Sequence, residues 1–115
     1  MAVDTYTNLY KEKWIEIDDG QSMCALINGN NGWLMYLRFS GDAGFSSRNP
    51  CYSGDENSVM EFYLDNGQLD EYPLSWVLPI EDIEKALAFF EREKKPPTFI
   101  TWHNDSSDGI NINKN

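Results

Sequence analysis

The stretch from Ser58 to Asp105 limits the possible folds most, because its local signals all agree with one another. It begins with an alternating segment, Ser58 to Asp65, that is typical of a half-buried strand. Met60, Phe62 and Leu64 share one face of this strand, and the residues between them share the other. The alternation predicts a strand with one face against a core.

A tight turn follows at Asn66-Gly67, a dipeptide that strongly favours a short hairpin. Asparagine and glycine both tolerate positive φ, which is the reason for this preference. The chain then returns as a second strand from Leu69 to Tyr72. Pro73, which lacks a backbone N–H, either ends the pairing or marks an edge strand. Residues 58–73 are therefore predicted to form a β-hairpin.

A helix is predicted to start at Pro79, because its missing N–H is not needed in a first turn. Acidic residues occupy the first turns and basic residues the last, which matches the helix dipole. The apolar stripe at helical spacing consists of Ile80, Ile83, Leu87 and Phe90. Pro96-Pro97 ends the helix, and the segment Thr98 to Trp102, rich in β-branched and aromatic residues, predicts a further strand.

The first half of the chain gives weaker strand signals. Residues 4–13 show no clear period, whereas Lys13 to Ile17 alternates like a strand. Two longer strands, Gln21 to Asn28 and Trp33 to Phe39, are expected to form a hairpin around Gly29–Gly32. Both faces of the second strand carry large apolar residues, so we expect it to lie in the centre of the sheet and to be covered on both sides.

The segment Ser40 to Asn57 differs from its neighbours in composition. Glycine, proline and small polar residues interrupt any period, so we expect a long surface loop with a brief strand near Phe45. Loops of this length inside compact domains are often functional. The residues after Asp105 are polar, and we expect them to be mobile at the chain end.

Together these elements predict an α+β fold, with a mainly antiparallel sheet of about five or six strands and one principal helix packed on one face. Residues 1–105 are expected to form a single domain, and residues 106–115 a polar C-terminal tail. A chain of 115 residues is long enough to bury a core without disulfides.

The net charge of −10 is concentrated in the middle of the chain. Residues 39–84 contain ten acidic residues against a single base, Arg48. A negative field of this kind repels nucleic acid and anionic membranes, and it attracts basic proteins. Two interpretations stay open: an acidic surface that binds a basic partner, and an acidic surface that serves only solubility.

Residues for catalysis or metal binding are sparse. His103 is the only histidine, which excludes a site with several histidine ligands. The order of Cys24 or Cys51, then His103 and Asn104, resembles that of a cysteine protease, but nothing in the sequence brings these residues together. We therefore expect no enzymatic activity, no catalytic residues, no metal and no cofactor. The N-terminus has no secretory signal, so two reduced thiols in the cytoplasm are expected.

Phe89 is the unusual residue of the predicted helix, because it lies opposite the apolar stripe. It either contacts the N-terminal segment or provides an apolar anchor for a partner protein. Of the four tryptophans, Trp33 and Trp102 are expected in the core, and Trp76 is expected to dock the start of the helix onto the sheet.

The second half of the chain carries a strand ending in F-Y-L-D-N-G, a turn L-S-W-V-L-P, a helix containing A-L-x-F-F and a closing strand P-P-T-F-I-T-W. This pattern resembles the deaminase-associated immunity-protein family of bacterial polymorphic toxin systems. The residues that match the family pattern are Pro79, Ala86, Leu87, Phe89, Phe90, Pro97 and Trp102. They are scaffold residues, and they identify no binding site.

The resemblance implies a non-enzymatic inhibitor that is made beside a toxin and binds its catalytic domain in the cytoplasm. Toxins of such systems are commonly nucleic-acid deaminases or nucleases, which need a cationic substrate groove. A concentrated anionic surface would bind that groove by charge complementarity, and no small-molecule substrate is expected. The candidate partner-binding residues are Asp42, Asp55, Glu56, Asp70, Glu71 and Phe89.

An alternative function belongs to a different class. A small acidic adaptor or regulatory protein would bind another cytoplasmic protein without any toxin. The identity of the neighbouring gene distinguishes the two, because an immunity protein needs its toxin encoded nearby.

Overall fold

The structure is a computed structural model that describes residues 9–113. It is an α+β fold with a mainly antiparallel sheet and one principal helix, as predicted. The strands are β1 (Tyr10–Glu16), β2 (Ser22–Asn28), β3 (Asn31–Leu37), β4 (Phe45–Arg48), β5 (Val59–Tyr63), β6 (Leu69–Pro73), β7 (Leu78–Pro79) and β8 (Thr101–Asn104), with a 3-10 turn at Leu74–Trp76 and helix α1 at Ile80–Glu93.

The central sheet has the strand order β1-β2-β3-β4-β8, and the short strand β7 also pairs with β3. All of these pairs are antiparallel. Strands β5 and β6 form a separate two-stranded sheet. The central sheet thus lies between two layers: the helix layer, formed by α1, and the hairpin layer, formed by β5 and β6.

Strand β3 is covered on both sides, which confirms the prediction from its two apolar faces. Leu34 and Tyr36 pack into the core under the helix layer, whereas Trp33 packs under the hairpin layer. The buried residues on the helix side are Met23, Ala25, Ile27, Leu34, Tyr36, Phe45, Leu78, Ile83, Ala86, Leu87, Phe90, Ile100 and Trp102. Those on the hairpin side are Cys24, Leu26, Trp33, Phe62 and Val77.

The turn between β2 and β3 is tighter than predicted. Asn28 pairs with Asn31, so only Gly29 and Asn30 form the connection, and Gly29 has φ +61°. Gly32, expected in the turn, lies inside β3 below the helix. A Cβ at Gly32 would lie 2.7 Å from Cγ1 of Ile83. The glycine therefore allows the close approach of α1 to the sheet.

The hairpin of β5 and β6 is confirmed, and one residue of its turn has positive φ. Only Gly67, and not Asn66, has positive φ among the turn residues. Leu64 exchanges backbone hydrogen bonds with its neighbours across the turn: its N–H donates to the Gln68 carbonyl, and its carbonyl accepts from Gly67 N–H. A glycine in the left-handed conformation at the last loop position is common in three-residue hairpin loops.

Helix α1 begins one residue later than predicted, because Pro79 is extended with φ −60° and ψ 150°. The helix ends with Lys94 in the left-handed conformation, where its N–H donates to the carbonyl of Phe90 at 2.8 Å. The last strand, β8, starts at Thr101 rather than Thr98. The residues before it form a turn that leads into buried Ile100.

The brief strand expected near Phe45 is present as β4, but it lies inside the central sheet rather than on a surface loop. Strand β4 lies between β3 and β8, and Phe45, Ser46 and Ser47 are buried. The Ser47 hydroxyl accepts a hydrogen bond from the N–H of Leu34 at 3.1 Å and donates one to the Trp76 carbonyl at 2.9 Å. These bonds satisfy a buried polar side chain, which explains how a serine pair lies inside the sheet.

The segment after β8 folds back along the edge of that strand. The Asn113 side chain accepts a hydrogen bond from Trp102 N–H at 2.7 Å and donates one to the Trp102 carbonyl at 2.9 Å. Ile112 packs against the core on the helix side. The predicted mobility of the chain end concerns residues 114–115, which lie outside the described residues, as do residues 1–8.

Candidate protein-binding surface

The segment from residue 49 to residue 73 carries six acidic residues and no basic residue. It includes the loop that leads into the hairpin layer and the hairpin itself. The six residues are Asp55, Glu56, Glu61, Asp65, Asp70 and Glu71. We call the exposed members of this group, Asp55, Glu56, Glu61, Asp65 and Glu71, the acidic surface.

Two of these acids lie directly opposite each other. Glu61 on β5 pairs in register with Glu71 on β6, and both side chains are exposed. Like charges at directly opposite positions of an antiparallel pair destabilise a sheet. Val59 and Leu69, which share this outward face, are 52% and 44% exposed. The outer face of the hairpin layer therefore combines repelling carboxylates with exposed apolar side chains.

The loop before β5 presents the next two acids. Asp55 is exposed, and its Oδ1 accepts a hydrogen bond from the N–H of Asn57 at 2.8 Å. Its carbonyl accepts from the Tyr52 hydroxyl at 2.7 Å. These local bonds order the loop and leave the side chain of Glu56 exposed beside Asp55.

Asp70 points to the opposite side of the hairpin from Glu71, as neighbours in a strand do. It is half-buried, and its carboxylate accepts hydrogen bonds from Gln68 Nε2 at 2.8 Å and from the Tyr72 hydroxyl at 3.1 Å. Burial, with the Asp70 carboxylate next, raises the pKa of Tyr72 well above its usual range. The side chain of Asp70 thus positions Tyr72 within the hairpin layer.

Asp42 is occupied within the fold. Its side chain is 2% exposed, and it forms an ion pair with Arg38 at 2.8 Å. The hydrogen bonds from Arg38 lower the pKa of Asp42 to about 2. Arg38 also binds Asp108 at 2.7 Å, which links the end of β3 to the C-terminal segment. The carboxylate of Asp42 is therefore already paired and hardly accessible to a partner.

Phe89 lies on the helix layer, on the other side of the central sheet from the acidic surface. Its ring packs edge-on against Phe99 with 5.7 Å between centroids, and Phe99 is 52% exposed. Asp82, Lys85 and Arg92 line the same shallow groove. Residues 1–8 of the N-terminal segment, the alternative contact expected for Phe89, lie outside the described residues.

A stack of planar side chains joins β4 to the hairpin layer. The guanidinium carbon of Arg48 lies 3.8 Å from the centre of the Trp76 ring, and Trp76 stacks on Tyr72 at 5.9 Å. Tyr72 in turn stacks on Trp33 at 4.2 Å, with the rings nearly parallel. Trp76 therefore packs on the hairpin side of the sheet. The prediction that it docks the start of the helix onto the sheet is wrong.

Two residues of this region were not among the sequence-based candidates. Glu61 was missed, although counting pairs outward from the Asn66-Gly67 turn places it opposite Glu71. Arg48 was noted only as the single base of the acidic segment. Its stacking on Trp76 joins residues far apart in the chain, so no local pattern reveals it.

The groups expected to be chemically inert are placed apart. Burial raises the pKa of the Cys24 thiol to about 12, and Cys24 and Cys51 are both free thiols. Strands β3 and β4 lie between Cys24 and His103, a separation of about 14 Å at the usual strand spacing. Among residues 9–113, no group of three or more histidine, cysteine and acidic side chains is arranged to hold a metal ion.

Comparison with protein-family models and with curated proteins finds no match to this chain. No helix in the described range is long and apolar enough to cross a membrane. The fold and the surface together define an α+β domain with a concentrated acidic face on one side. Function is therefore inferred from these residues and their geometry.

Proposed function

We propose that this chain is an immunity protein that binds and neutralises a cognate bacterial toxin in the cytoplasm. The toxin would be a basic domain that acts on nucleic acid, as a deaminase or a nuclease. The observation that carries the proposal is the acidic surface, in which Glu61 and Glu71 face each other without an intervening base. The family resemblance of the second half of the chain supports the same function.

Charge complementarity gives the physical reason. An enzyme that binds nucleic acid has a cationic groove for phosphates. A compact anionic surface is attracted to that groove and accelerates association. A lysine or arginine of the partner placed between Glu61 and Glu71 would also relieve their repulsion. The loss of this repulsion would add to the free energy of binding.

The proposed interface consists of the acidic surface with Val59 and Leu69 as apolar contacts. Asp42 is left out because its carboxylate is already held by Arg38. Asp70 supports the interface by holding Tyr72 rather than by direct contact. Phe89 lies on the opposite layer, so it would serve a second contact area rather than this one. Inhibition of this kind requires no catalysis and no cofactor.

The first experiment is co-expression with the C-terminal domain encoded by the neighbouring gene. Growth is recorded with that domain alone and with the domain together with this chain. Death in the first culture and survival in the second would support immunity. Equal death in both cultures would remove that domain as the target and favour the adaptor function.

The second experiment maps the surface with two variants of equal charge change. One carries Asp55→Asn, Glu56→Gln and Glu71→Gln on the acidic surface. The matched control carries Asp18→Asn, Glu84→Gln and Glu91→Gln, which are exposed elsewhere. We expect the first to weaken toxin binding by several kcal/mol, at about 2 kcal/mol for each buried hot spot, and the control to change it little. Equal affinities for the two variants would contradict the mapping.

A further inference from the structure

Arg48 is the only basic residue between positions 39 and 84, and its guanidinium is fixed in place. One face lies against Trp76, with 3.8 Å from the guanidinium carbon to the ring centre. Nη1 donates hydrogen bonds to Ser46 Oγ at 3.0 Å and to the Ser47 carbonyl at 2.8 Å. The side chain is thus ordered before any ligand arrives.

The remaining donors of Arg48 are unused by the described part of the chain. Nε and Nη2 donate no hydrogen bond to the described residues. No carboxylate oxygen of these residues lies within 4.0 Å of an Arg48 nitrogen, the limit for an ion pair. The one buried side-chain nitrogen or oxygen without a partner in residues 9–113 is Trp33 Nε1. Both free nitrogens of Arg48 therefore reach solvent.

Two adjacent N–H donors on one edge of a planar guanidinium match the two oxygens of a carboxylate. The stacking on Trp76 and the bonds of Nη1 reduce the conformational entropy that Arg48 would lose on binding. Partial burial disfavours the charged guanidinium and lowers the pKa of Arg48. The nearby carboxylate of Asp105 offsets this lowering only in part. An incoming anion would complete the charge balance.

We propose that Nε and Nη2 of Arg48 form a carboxylate subsite that takes an aspartate or glutamate side chain of the protein partner. A singly charged carboxylate suits the subsite better than a doubly charged phosphate, because the nearby carboxylate of Asp105 repels the extra charge. The identity of the partner rests on the proposed function, whereas the subsite itself does not.

This subsite would give the acidic surface an orientation. A uniformly acidic surface attracts any basic protein in many poses, and attraction alone discriminates poorly. A single arginine with a fixed position stabilises only those complexes in which the partner places a carboxylate opposite it. Arg48 would thus contribute specificity more than attraction.

The test is an NMR titration of the ¹⁵N-labelled protein with sodium acetate, against sodium chloride at matched ionic strength. The reporters are the Nε–H of Arg48 and the indole N–H of Trp76. We expect a saturable shift of both with acetate, with half-saturation at roughly 10–100 mM, and only a small linear drift with chloride. Equal responses to the two salts would overturn the subsite.

Two variants sharpen the test. In Arg48→Lys the charge stays but the two-donor edge is lost, so the saturable shift of Trp76 should disappear. Arg92→Lys is the control, because Arg92 is exposed and paired with Glu93, and it should leave the shift unchanged. A Trp76 response that persists in Arg48→Lys would overturn the assignment to Arg48. A tighter response to phosphate than to acetate would overturn the preference for a carboxylate.

The complex provides the remaining arm. Once a toxin domain that this chain neutralises is identified, we expect Arg48→Lys to weaken binding to that domain at least tenfold. Arg92→Lys should weaken it less than twofold. Equal affinity of the two variants would overturn the role of Arg48 in the complex. Saturable acetate binding by a chain that neutralises no neighbouring domain would support the subsite and overturn the proposed function.

Discussion

The two layers that cover the central sheet differ in how they contribute to the molecule. The cluster on the helix side contains thirteen buried residues, whereas the cluster on the hairpin side contains five. Burial of apolar surface is the main source of folding free energy, so most of the stability lies on the helix side. The hairpin layer is held by a smaller core and a stack of aromatic rings.

The layers differ in charge as well. The exposed face of α1 mixes acids with Lys85 and Arg92, whereas residues 49–73, which carry the acidic surface, contain no base. Mixed charges favour solubility without a directed field, and a single-sign field favours binding of an oppositely charged partner. The larger buried core and the single-sign charge therefore lie on opposite sides of one sheet.

Removal of a fully buried ring from each layer tests whether the two layers unfold together or separately. Phe90 and Phe62 are both 0% exposed, so Phe90→Ala and Phe62→Ala form a matched pair. We expect each to lower the free energy of unfolding by about 3–5 kcal/mol, because a large buried side chain is lost and a cavity remains. Urea denaturation measures this loss.

Hydrogen exchange should then separate the two variants. In Phe62→Ala, amides of β5 and β6 are expected to exchange faster while those of α1 stay protected, because the small layer opens by itself. In Phe90→Ala, protection should fall throughout the sheet. Uniform loss of protection in both variants would contradict an independent hairpin layer.

Asp42 tests the contrast between a paired acid and the unpaired acids of the hairpin. Asp42→Asn should lower the free energy of unfolding at pH 7 by about 1.5–3 kcal/mol, the range for hydrogen bonds to charged groups. The pKa of Asp42 in the folded protein is about 2, below its unfolded value near 3.9. Its contribution is therefore complete above about pH 4 and is lost as the pH falls towards 2.

Urea denaturation at several pH values between 7 and 2 checks this prediction. The difference between wild type and Asp42→Asn should shrink as the pH falls through that window. Asp18→Asn, at an exposed turn position, is the control and should show little effect at any pH. A difference that stays constant down to pH 2 would rule out the ion pair with Arg38 as its source.

The smallest expected effect concerns the opposed carboxylates. Glu61→Gln or Glu71→Gln should raise the free energy of unfolding by about 0.2–1 kcal/mol, because the repulsion across the strand pair is removed. Glu84→Gln, on the exposed face of α1, is the control. The gain should decrease in high salt, where exposed charges are screened. A loss of stability in both hairpin variants would show that the pair is not repulsive.

The parts of the fold that the sequence predicts best are those with local signals. Asn66-Gly67 defines the hairpin, and Pro79 with Pro96-Pro97 limits α1 to within one to three residues. Strand β4 could not be predicted in full, because Ser46 and Ser47 look like loop residues. The bonds that satisfy Ser47 come from Leu34 and Trp76, which are distant in the chain.

The candidate surface follows the same rule. Asp55, Glu56 and Glu71 were predicted as partner-binding residues and are exposed, whereas Asp70 is half-buried. Asp42 was a candidate as well, but Arg38 forms ion pairs with both Asp42 and Asp108 and occupies the Asp42 carboxylate. Asp108 lies too far along the chain for a sequence pattern to connect it with Arg38. The separation of the hairpin into a second sheet was likewise not predicted.

The hydrogen bonds between Asn113 and Trp102 have a consequence for self-association. An unpaired strand edge is a template on which another chain can add a strand, and aggregates grow from such edges. On β8 the amide of Asn113 occupies both the donor and the acceptor of Trp102 and takes the place of a further strand. Any incoming strand must first displace that side chain. We therefore expect Asn113 to hinder the addition of a strand at the Trp102 position of this edge.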